Sequence, residues 1–193
     1  MKVVLVNGSR NEFGCIHQAL SIIAEELKAN GIDSQIIYVG SRACNGKINE
    51  AVDELGQAMQ EADGLIVGSP VYYASPSGEV IAVLDRLFGK YGADMRFKPA
   101  SAVASARRAG TTASLDVINK YFSFNNMPIV SASYWNNVHG SQASDVLLDL
   151  EGVQNLKVLA RNMAWLLKCI EAGKEKDIKA PELEEKIKFN YVR

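Results

Sequence analysis

The stretch "VVLVNGSRNEFGCIHQAL", residues 3–20, decides the fold class. It opens with a continuous apolar run, Val3–Val6, and passes through a short polar loop between Gly8 and Gly14. It then continues as a helical stripe that stops at Asn30-Gly31. Apolar strands without alternation are typical of a parallel sheet that is covered on both faces. The stretch therefore predicts a strand, a loop and a helix, which together begin a βαβ unit.

The same alternation continues along most of the chain. Further apolar runs begin at Ile36, Leu65, Ala102 and Ile129, about 30 residues apart, which is the length of a βαβ unit. Helical stripes fill the gaps, and the longest is Val153–Ile170. The pattern predicts an α/β protein in one three-layer α/β/α sandwich, with a doubly wound parallel sheet of five strands.

Composition argues against several classes of protein. The formal net charge is −1 over 193 residues, so nothing indicates a nucleic-acid or membrane partner. No apolar run reaches the roughly 18 residues of a membrane-spanning helix, and the chain starts on a strand rather than a secretory signal. The three cysteines, Cys15, Cys44 and Cys169, are far apart and odd in number, which is typical of reduced thiols. We therefore expect a cytoplasmic protein.

The loop after the first strand has the position of a ligand site, because ligands of such sheets bind beyond the carboxyl ends of the strands. It lacks both the dinucleotide glycine fingerprint and the Gly-Lys-Ser/Thr of a triphosphate loop. What remains is Ser9, Arg10 and Asn11 before a helix N-terminus, whose backbone N–H groups attract one compact anion. A hydroxyl and a guanidinium fork suit a terminal monophosphate. The alternative is an ordinary strand-to-helix connection in which Ser9 is a turn residue.

The third strand continues into "GSPVYYASPSGEV", residues 68–80. Pro70 and Pro76 stiffen this segment, and Tyr72 and Tyr73 lie at its tip. A rigid loop with aromatic side chains and backbone donors suits a flat heterocycle. The alternative is that both tyrosines pack against the following helix.

Four segments together resemble one known family. They are Gly8-Ser9 with Gly14-Cys15, the turn Ser69–Tyr73 with Leu84-Asp85-Arg86, "SARRAGTTASLDVINKYF" (residues 105–122), and "YWNNVHG" (134–140) with "LARNMAWLLK" (159–168). In this order and spacing they are similar to the flavodoxin-fold NAD(P)H-dependent FMN reductases. The most similar branch is the one related to the iron–sulfur flavoproteins. The resemblance covers most of the chain and ends near the last helical stripe.

The resemblance implies a flavodoxin-like sheet of order 2-1-3-4-5 with FMN at its switch point. The first loop would hold the phosphate, the turn after the third strand would lie beside the isoalloxazine ring, and the loop after the fourth strand would approach the pyrimidine edge. The candidate cofactor-binding residues are Ser9, Arg10, Asn11, Gly14, Cys15, Ile16, His17, Pro70, Val71, Tyr72, Tyr73, Ala106, Arg107, Arg108, Ala109, Gly110 and Thr111.

Several positions depart from the family pattern. Members usually have proline in place of Arg10 and threonine in place of Ile16, so one hydroxyl donor is lost, at a cost of about 1–3 kcal/mol if nothing replaces it. Either Arg10 compensates or FMN binds more weakly. Glycine is frequent in place of Ala109, so the ring is more crowded here. Iron–sulfur relatives have a cysteine cluster after the second strand, but Cys44 stands alone there and a cluster requires four ligands, so no iron–sulfur centre is expected.

The two histidines, His17 and His139, have no cysteine or carboxylate at ligand spacing, so no metal site is expected. His17 is expected near the phosphate, as a donor or as a bystander. The resemblance places the loop of His139 at the flavin pocket or at a subunit interface, and a plain surface loop is the alternative.

The sequence thus predicts an FMN-dependent NAD(P)H oxidoreductase that passes a hydride from nicotinamide through FMN to an acceptor such as a quinone or free flavin. The flavin carries the chemistry, so no catalytic side chain is expected. One alternative is a flavodoxin-like electron carrier, which the small net charge argues against, because carriers use a strong field of one sign. The other alternative is a flavin-free interaction or regulatory domain.

We expect residues 1–173 to form the FMN-binding domain and residues 174–193 to form a C-terminal extension. Because relatives close the site with a second subunit, a homodimer or homotetramer is expected. The candidate contacts are Trp135, Trp165 and the apolar end of the tail, at Phe189, Tyr191 and Val192.

Overall fold

The structure is a computed structural model that describes residues 1–185 and 187–189. Strands and helices alternate through these residues, as the spacing of the apolar runs predicts. In chain order they are β1 (Lys2–Asn7), α1 (Cys15–Ala29), β2 (Asp33–Tyr38), α2 (Gly40–Cys44), α3 (Ile48–Glu61), β3 (Gly64–Tyr72), β4 (Ser75–Pro76), α4 (Gly78–Met95), β5 (Ala100–Ala106), α5 (Thr111–Phe124), β6 (Asn137–His139), α6 (Ala143–Val146) and α7 (Leu150–Glu175).

The strands form a parallel sheet in the order β2-β1-β3-β5-β6, and the short β4 pairs antiparallel with β3. When the parallel strands alone are numbered, this is the predicted order 2-1-3-4-5. In β1, Leu5 lies between Ile36 of β2 and Ile66 of β3. The order reverses between β1 and β3, so a crevice opens beyond the carboxyl ends of these two strands.

Alternate residues of β1 face the two layers of helices. Val4 and Val6 pack in the core cluster formed with α3, α4 and α5. Val3 and Leu5 pack in the opposite cluster, formed with α1 and α7. All four side chains are buried, and burying each contributes about 1.5–3 kcal/mol. The continuous apolar run of β1 is therefore explained by a strand that has a core on both sides.

The predicted position of the fifth strand was wrong. Ile129 makes only an isolated bridge with Ala100, and the chain then leaves the sheet until β6. In this excursion Asn155 accepts a hydrogen bond from the Tyr134 backbone N–H (2.9 Å), and Asn162 donates to the Ser131 carbonyl (2.8 Å). Side chains of α7 thus supply part of the hydrogen bonding that a sheet ladder would otherwise supply. His139 consequently lies in β6 and not in a loop after the last strand.

Helix α7 ends at Glu175, two residues beyond the predicted domain boundary. The described residues that follow have neither helix nor strand, and the Ile178 backbone N–H bonds to the Gly173 carbonyl (2.9 Å). Phe189 is exposed, whereas the predicted contacts Tyr191 and Val192 lie outside the described residues. Within the part of the chain that the structure describes, no helix is both long and apolar enough to cross a membrane.

Candidate functional site

Three loops meet at the carboxyl edge of the sheet. The Ser77 hydroxyl, after β4, donates to the Gly8 carbonyl of the first loop (3.1 Å). Gly110, after β5, packs so closely on the β3–β4 turn that an added Cβ would lie 2.8 Å from Ala74 Cα and 3.0 Å from Val71 Cγ1. The loops after β1, β3 and β5, which the resemblance assigns to one ligand, therefore form one continuous surface.

The first loop is held from within by short polar side chains. The buried Asn7 side chain accepts from the Ser9 backbone N–H (3.1 Å) and donates to the Glu12 carbonyl (2.8 Å). Ser9 Oγ accepts from the Asn11 backbone N–H (3.1 Å), which leaves the hydroxyl proton available to a ligand. Ser9 is therefore buried within a fixed loop, which distinguishes it from the ordinary turn residue of the alternative hypothesis.

The N-terminus of α1 is suited to an anion. Its N-cap residue is Gly14, no described side chain caps it, and its first turn holds no acidic residue. Helix α4 starts at the same edge but differs, because Ser77 caps it and Glu79 lies in its first turn. The backbone N–H groups and the dipole of α1 are therefore available to one compact anion next to Ser9.

The other candidates of the first loop contribute unequally. Ile16 has its side chain in the core, where an added Cβ on Gly68 would lie 2.7 Å from Ile16 Cγ2, so Ile16 offers only its backbone N–H. Cys15 and His17 are half-buried, and the His17 ring packs edge-on against Phe13 at 5.2 Å between centroids. Asn11 is exposed.

Arg10 does not point freely into the loop. Its Nε forms an ion pair with Oε1 of Glu79. The guanidinium is thus already bound to a carboxylate, although the sequence suggests that it compensates for the missing threonine.

The second loop is a tight hairpin between β3 and β4, which the sequence did not predict. Tyr73 and Ala74 form its turn with positive φ angles of 52° and 55°, as a two-residue hairpin requires. This backbone is strained for residues other than glycine, and such strain is concentrated at functional sites. Tyr73 is fully exposed and Tyr72 is half-exposed, so the alternative in which both tyrosines pack against the following helix is wrong. Pro70 and Val71 are partly buried behind them.

The third loop combines a rigid base with an exposed cationic tip. Ala106 ends β5 and is buried, whereas Arg107, Arg108 and Ala109 are exposed. Neither arginine forms an ion pair with any residue that the structure describes. Gly110, with φ of 101°, is the N-cap of α5, which no side chain among the described residues caps, and Thr111 is buried in its first turn.

Sequence reasoning missed several supporting residues. A Cβ on Gly40, the first residue of α2, would lie 1.8 Å from the Ser9 carbonyl oxygen, so this glycine supports the first loop from outside it. The Ser77 N-cap was detectable, because a serine precedes an apolar helical run. Gly40 and Glu79 carried no such local signal, since their roles depend on contacts with distant segments.

His139 lies outside these loops. Its backbone N–H donates to Asp149 Oδ2 (2.8 Å), and its Nδ1 is 3.4 Å from the same oxygen. No group of three or more His, Cys, Asp or Glu side chains among the described residues is arranged to hold a metal.

The fold and the site together define a class. A doubly wound sheet with one uncapped anion site at its switch point, rimmed by exposed tyrosines, fits a mononucleotide with a single phosphate and a flat ring. A dinucleotide would instead require the glycine fingerprint that this loop lacks. The donor set therefore fits FMN.

Comparison with known proteins agrees with this class. Residues 1–142 match the family model of the NADPH-dependent FMN reductases, and the chain belongs to this family. An iron–sulfur flavoprotein of Methanocaldococcus jannaschii is 30% identical over 89% of this chain and 100% of the relative. The flavodoxin, WrbA-like protein from Agrobacterium tumefaciens matches the fold with a TM-score of 0.66 at 13% identity, covering 87% of this chain and 97% of that one. An archaeal flavodoxin gives a TM-score of 0.63 at 17% identity, covering 87% of this chain and 99% of that one.

These comparisons confirm the flavodoxin-like fold, FMN as the cofactor and the class of flavin-dependent oxidoreductases. The similar archaeal protein is named for an iron–sulfur centre as well as for its flavin. In this chain Cys44 lies at the end of α2, Cys15 lies at the start of α1, and Cys169 lies in α7. The absence of a cluster stays a prediction from the sequence.

Proposed function

We propose that the protein is an NAD(P)H oxidoreductase that passes a hydride from nicotinamide through FMN to a small acceptor such as a quinone or free flavin. The observation that carries this proposal is the exposed cationic rim of the third loop, whose two arginines form no ion pair with any described residue. Arg107 and Arg108 lie beside the fixed flavin loops and carry the charge that attracts the phosphates of a nicotinamide dinucleotide.

Each part of the site has a separate task. Ser9 and the first-turn N–H groups of α1 hold the phosphate. The Tyr72 side chain offers an apolar face to the ring. The uncapped start of α5 directs backbone N–H groups and a positive dipole end toward the loop that borders the pyrimidine edge, where they favour negative charge. When bound, FMN supplies the reversible acceptance of hydride.

A simple electron carrier is the second candidate, and the charges disfavour it. Carriers dock transiently through a strong field of one sign. Here the formal net charge is −1, and the exposed rim of the site holds two arginines rather than an acidic surface. A small anionic reductant fits this rim better than a protein partner does.

The first prediction concerns the reductant. The FMN-loaded protein should oxidise NADPH or NADH steadily with a soluble quinone in the absence of oxygen. Replacing Arg107 and Arg108 with alanine should raise the KM for the dinucleotide about three- to tenfold with little change in kcat, because an exposed charge contributes to binding more than to chemistry. The measurement is absorbance at 340 nm under steady-state conditions.

Arg86→Ala is the matched control, because Arg86 is exposed and, among the described residues, its side chain bonds within α4, to the Ala82 carbonyl (2.9 Å). It should leave both constants unchanged. A protein that holds FMN but supports no steady oxidation of either dinucleotide contradicts the proposed reductase activity.

Quaternary structure is the second prediction. Trp135 and Trp165 are exposed, as are Leu147, Leu148 and Leu150, and large exposed apolar side chains are typical of interfaces. We therefore expect a homodimer or homotetramer in light scattering, and Trp165→Glu should shift the protein toward smaller species. A monomer across a wide concentration range contradicts the prediction.

A further inference from the structure

A buried carboxylate of helix α4 contacts the first loop. Glu79 lies in the first turn of α4 and is only 5% exposed. Its Oε1 accepts hydrogen bonds from Arg10 Nε and from Cys44 Sγ (3.2 Å). One oxygen atom thus joins the first loop, α2 and α4.

This carboxylate is negatively charged at neutral pH. Burial raises the pKa of the Glu79 carboxyl, but hydrogen bonds from its own backbone N–H, from Arg10 and from Cys44 hold the pKa below its usual value. Cys44 stays protonated beside it, because donation to Glu79 raises the pKa of the Cys44 thiol. A fixed negative charge therefore lies next to the loop that binds a phosphate dianion.

Such a charge opposes phosphate binding unless it is neutralised. Like charges repel, and the repulsion is screened less at a buried group such as Glu79 than at an exposed one. Arg10 is the cation that contacts Glu79, and its backbone is fixed at the same time, because the Tyr38 hydroxyl donates to the Arg10 carbonyl (2.7 Å). The guanidinium is thus held where it covers the carboxylate.

We propose that Arg10 and Glu79 form a charge-compensation pair that sets the preference of the first loop for phosphate. Arg10 serves this purpose by neutralising Glu79 and is not itself a ligand of the phosphate. The inference rests on the proposed FMN site. It makes both residues positioning residues, since they act through the loop that contacts the phosphate.

Neutralising Glu79 and binding the phosphate are two different roles for Arg10, and they predict different effects of a second substitution on FMN affinity. Arg10→Ala exposes the phosphate to the Glu79 charge, so the affinity for FMN should fall about tenfold. If Arg10 only neutralises Glu79, Glu79→Gln in the same chain removes the repulsion, and affinity should return to within about threefold of the parent. Arg10→Lys keeps the charge without the planar fork and should also stay within about threefold. If Arg10 is a ligand, the double variant remains as weak as Arg10→Ala.

The experiment is a titration of the apo forms with FMN and with riboflavin, followed by flavin fluorescence. Riboflavin lacks the phosphate, so its affinity should be the same in all four proteins. Arg161→Ala is the matched control, because Arg161 Nε contacts Glu26 Oε1 (2.7 Å) on the same helix α1 but toward its far end. It should change neither affinity. If the parent protein binds FMN and riboflavin equally, the proposed site itself is refuted. If the parent prefers FMN but the double variant does not regain affinity for FMN, only this inference is refuted.

A readout without flavin tests the same contact. In the apo-protein, Arg10→Ala should raise the pKa of the Cys44 thiol, because the Glu79 charge beside the thiol is then no longer compensated by Arg10. Alkylation by iodoacetamide at pH 8, measured for the Cys44 peptide by mass spectrometry, should therefore become slower. The Cys169 peptide serves as the internal reference, because Cys169 lies on α7, outside the first loop, α2 and α4. An unchanged rate at Cys44 in Arg10→Ala shows that Arg10 does not compensate the Glu79 charge, and this overturns the inference.

Discussion

Replacement of Gly40 by alanine is expected to lower FMN affinity at least about 100-fold. The new Cβ would lie 1.8 Å from the Ser9 carbonyl oxygen and 2.4 Å from the Ser9 carbonyl carbon, which are backbone atoms that cannot rotate away. The first loop cannot move away from Gly40, because it is closely packed on its opposite side. There the space beside Gly8 is so small that a Cβ added to Gly8 would lie 1.8 Å from Val80 Cγ2. Overpacking of this kind costs about 1–3 kcal/mol or more in stability. A displaced loop also loses hydrogen bonds to the phosphate, each of about 1.5–3 kcal/mol, so the loss of two gives about 100-fold in affinity. Flavin titration and thermal unfolding measure both effects.

Gly89→Ala is the control for this substitution. Gly89 lies inside α4, and a Cβ added there would have no described atom within 4 Å. It should stabilise the protein by about 0.5–1 kcal/mol through helix propensity and leave FMN affinity unchanged. If Gly40→Ala folds and binds FMN as tightly as the parent, the first loop is not the phosphate site.

The sheet was predictable because its determinants are local. Each central parallel strand contains an apolar run without alternation, since both of its faces are covered, and a helical stripe follows each run. Val3–Val6 shows this directly, with alternate residues buried in opposite clusters. The location of the ligand loop followed from topology, because the strand order fixes where the crevice opens.

Edge structure was less predictable. β6 holds one buried apolar residue, Val138, between two polar ones, so its sequence resembles a loop. The excursion before it is held by Asn155 and Asn162 of α7, which are distant in sequence. The β3–β4 hairpin likewise has Tyr73 and Ala74 in its turn, where sequence rules expect glycine or asparagine. At β6 and at the β3–β4 hairpin, tertiary contacts and not the local sequence determine the structure.

The same limit applies to the charges of the site. The sequence shows Arg10 beside a helix N-terminus and suggests that it contacts the phosphate. Only the fold reveals that Glu79, 69 residues away, takes up its guanidinium. A pattern of residues identifies a cationic side chain, but the partner of a charge is decided by packing between segments.

The protein should bind FMN at least about 100-fold more tightly than riboflavin. In the proposed site, Ser9 and the uncapped first turn of α1 bond the charged phosphate of FMN and have no partner on riboflavin. Each hydrogen bond to a charged group contributes about 1.5–3 kcal/mol, so two of them give this ratio or a larger one. Ser9→Ala should lower FMN affinity about tenfold and leave riboflavin unchanged, measured by fluorescence titration of the apo-protein. Ser21→Ala is the control, because in the part of the chain that the structure describes Ser21 Oγ bonds to the His17 carbonyl of its own helix (2.8 Å). This substitution should change neither affinity. Equal affinities for the two flavins in the parent protein would show that the first loop does not hold the phosphate.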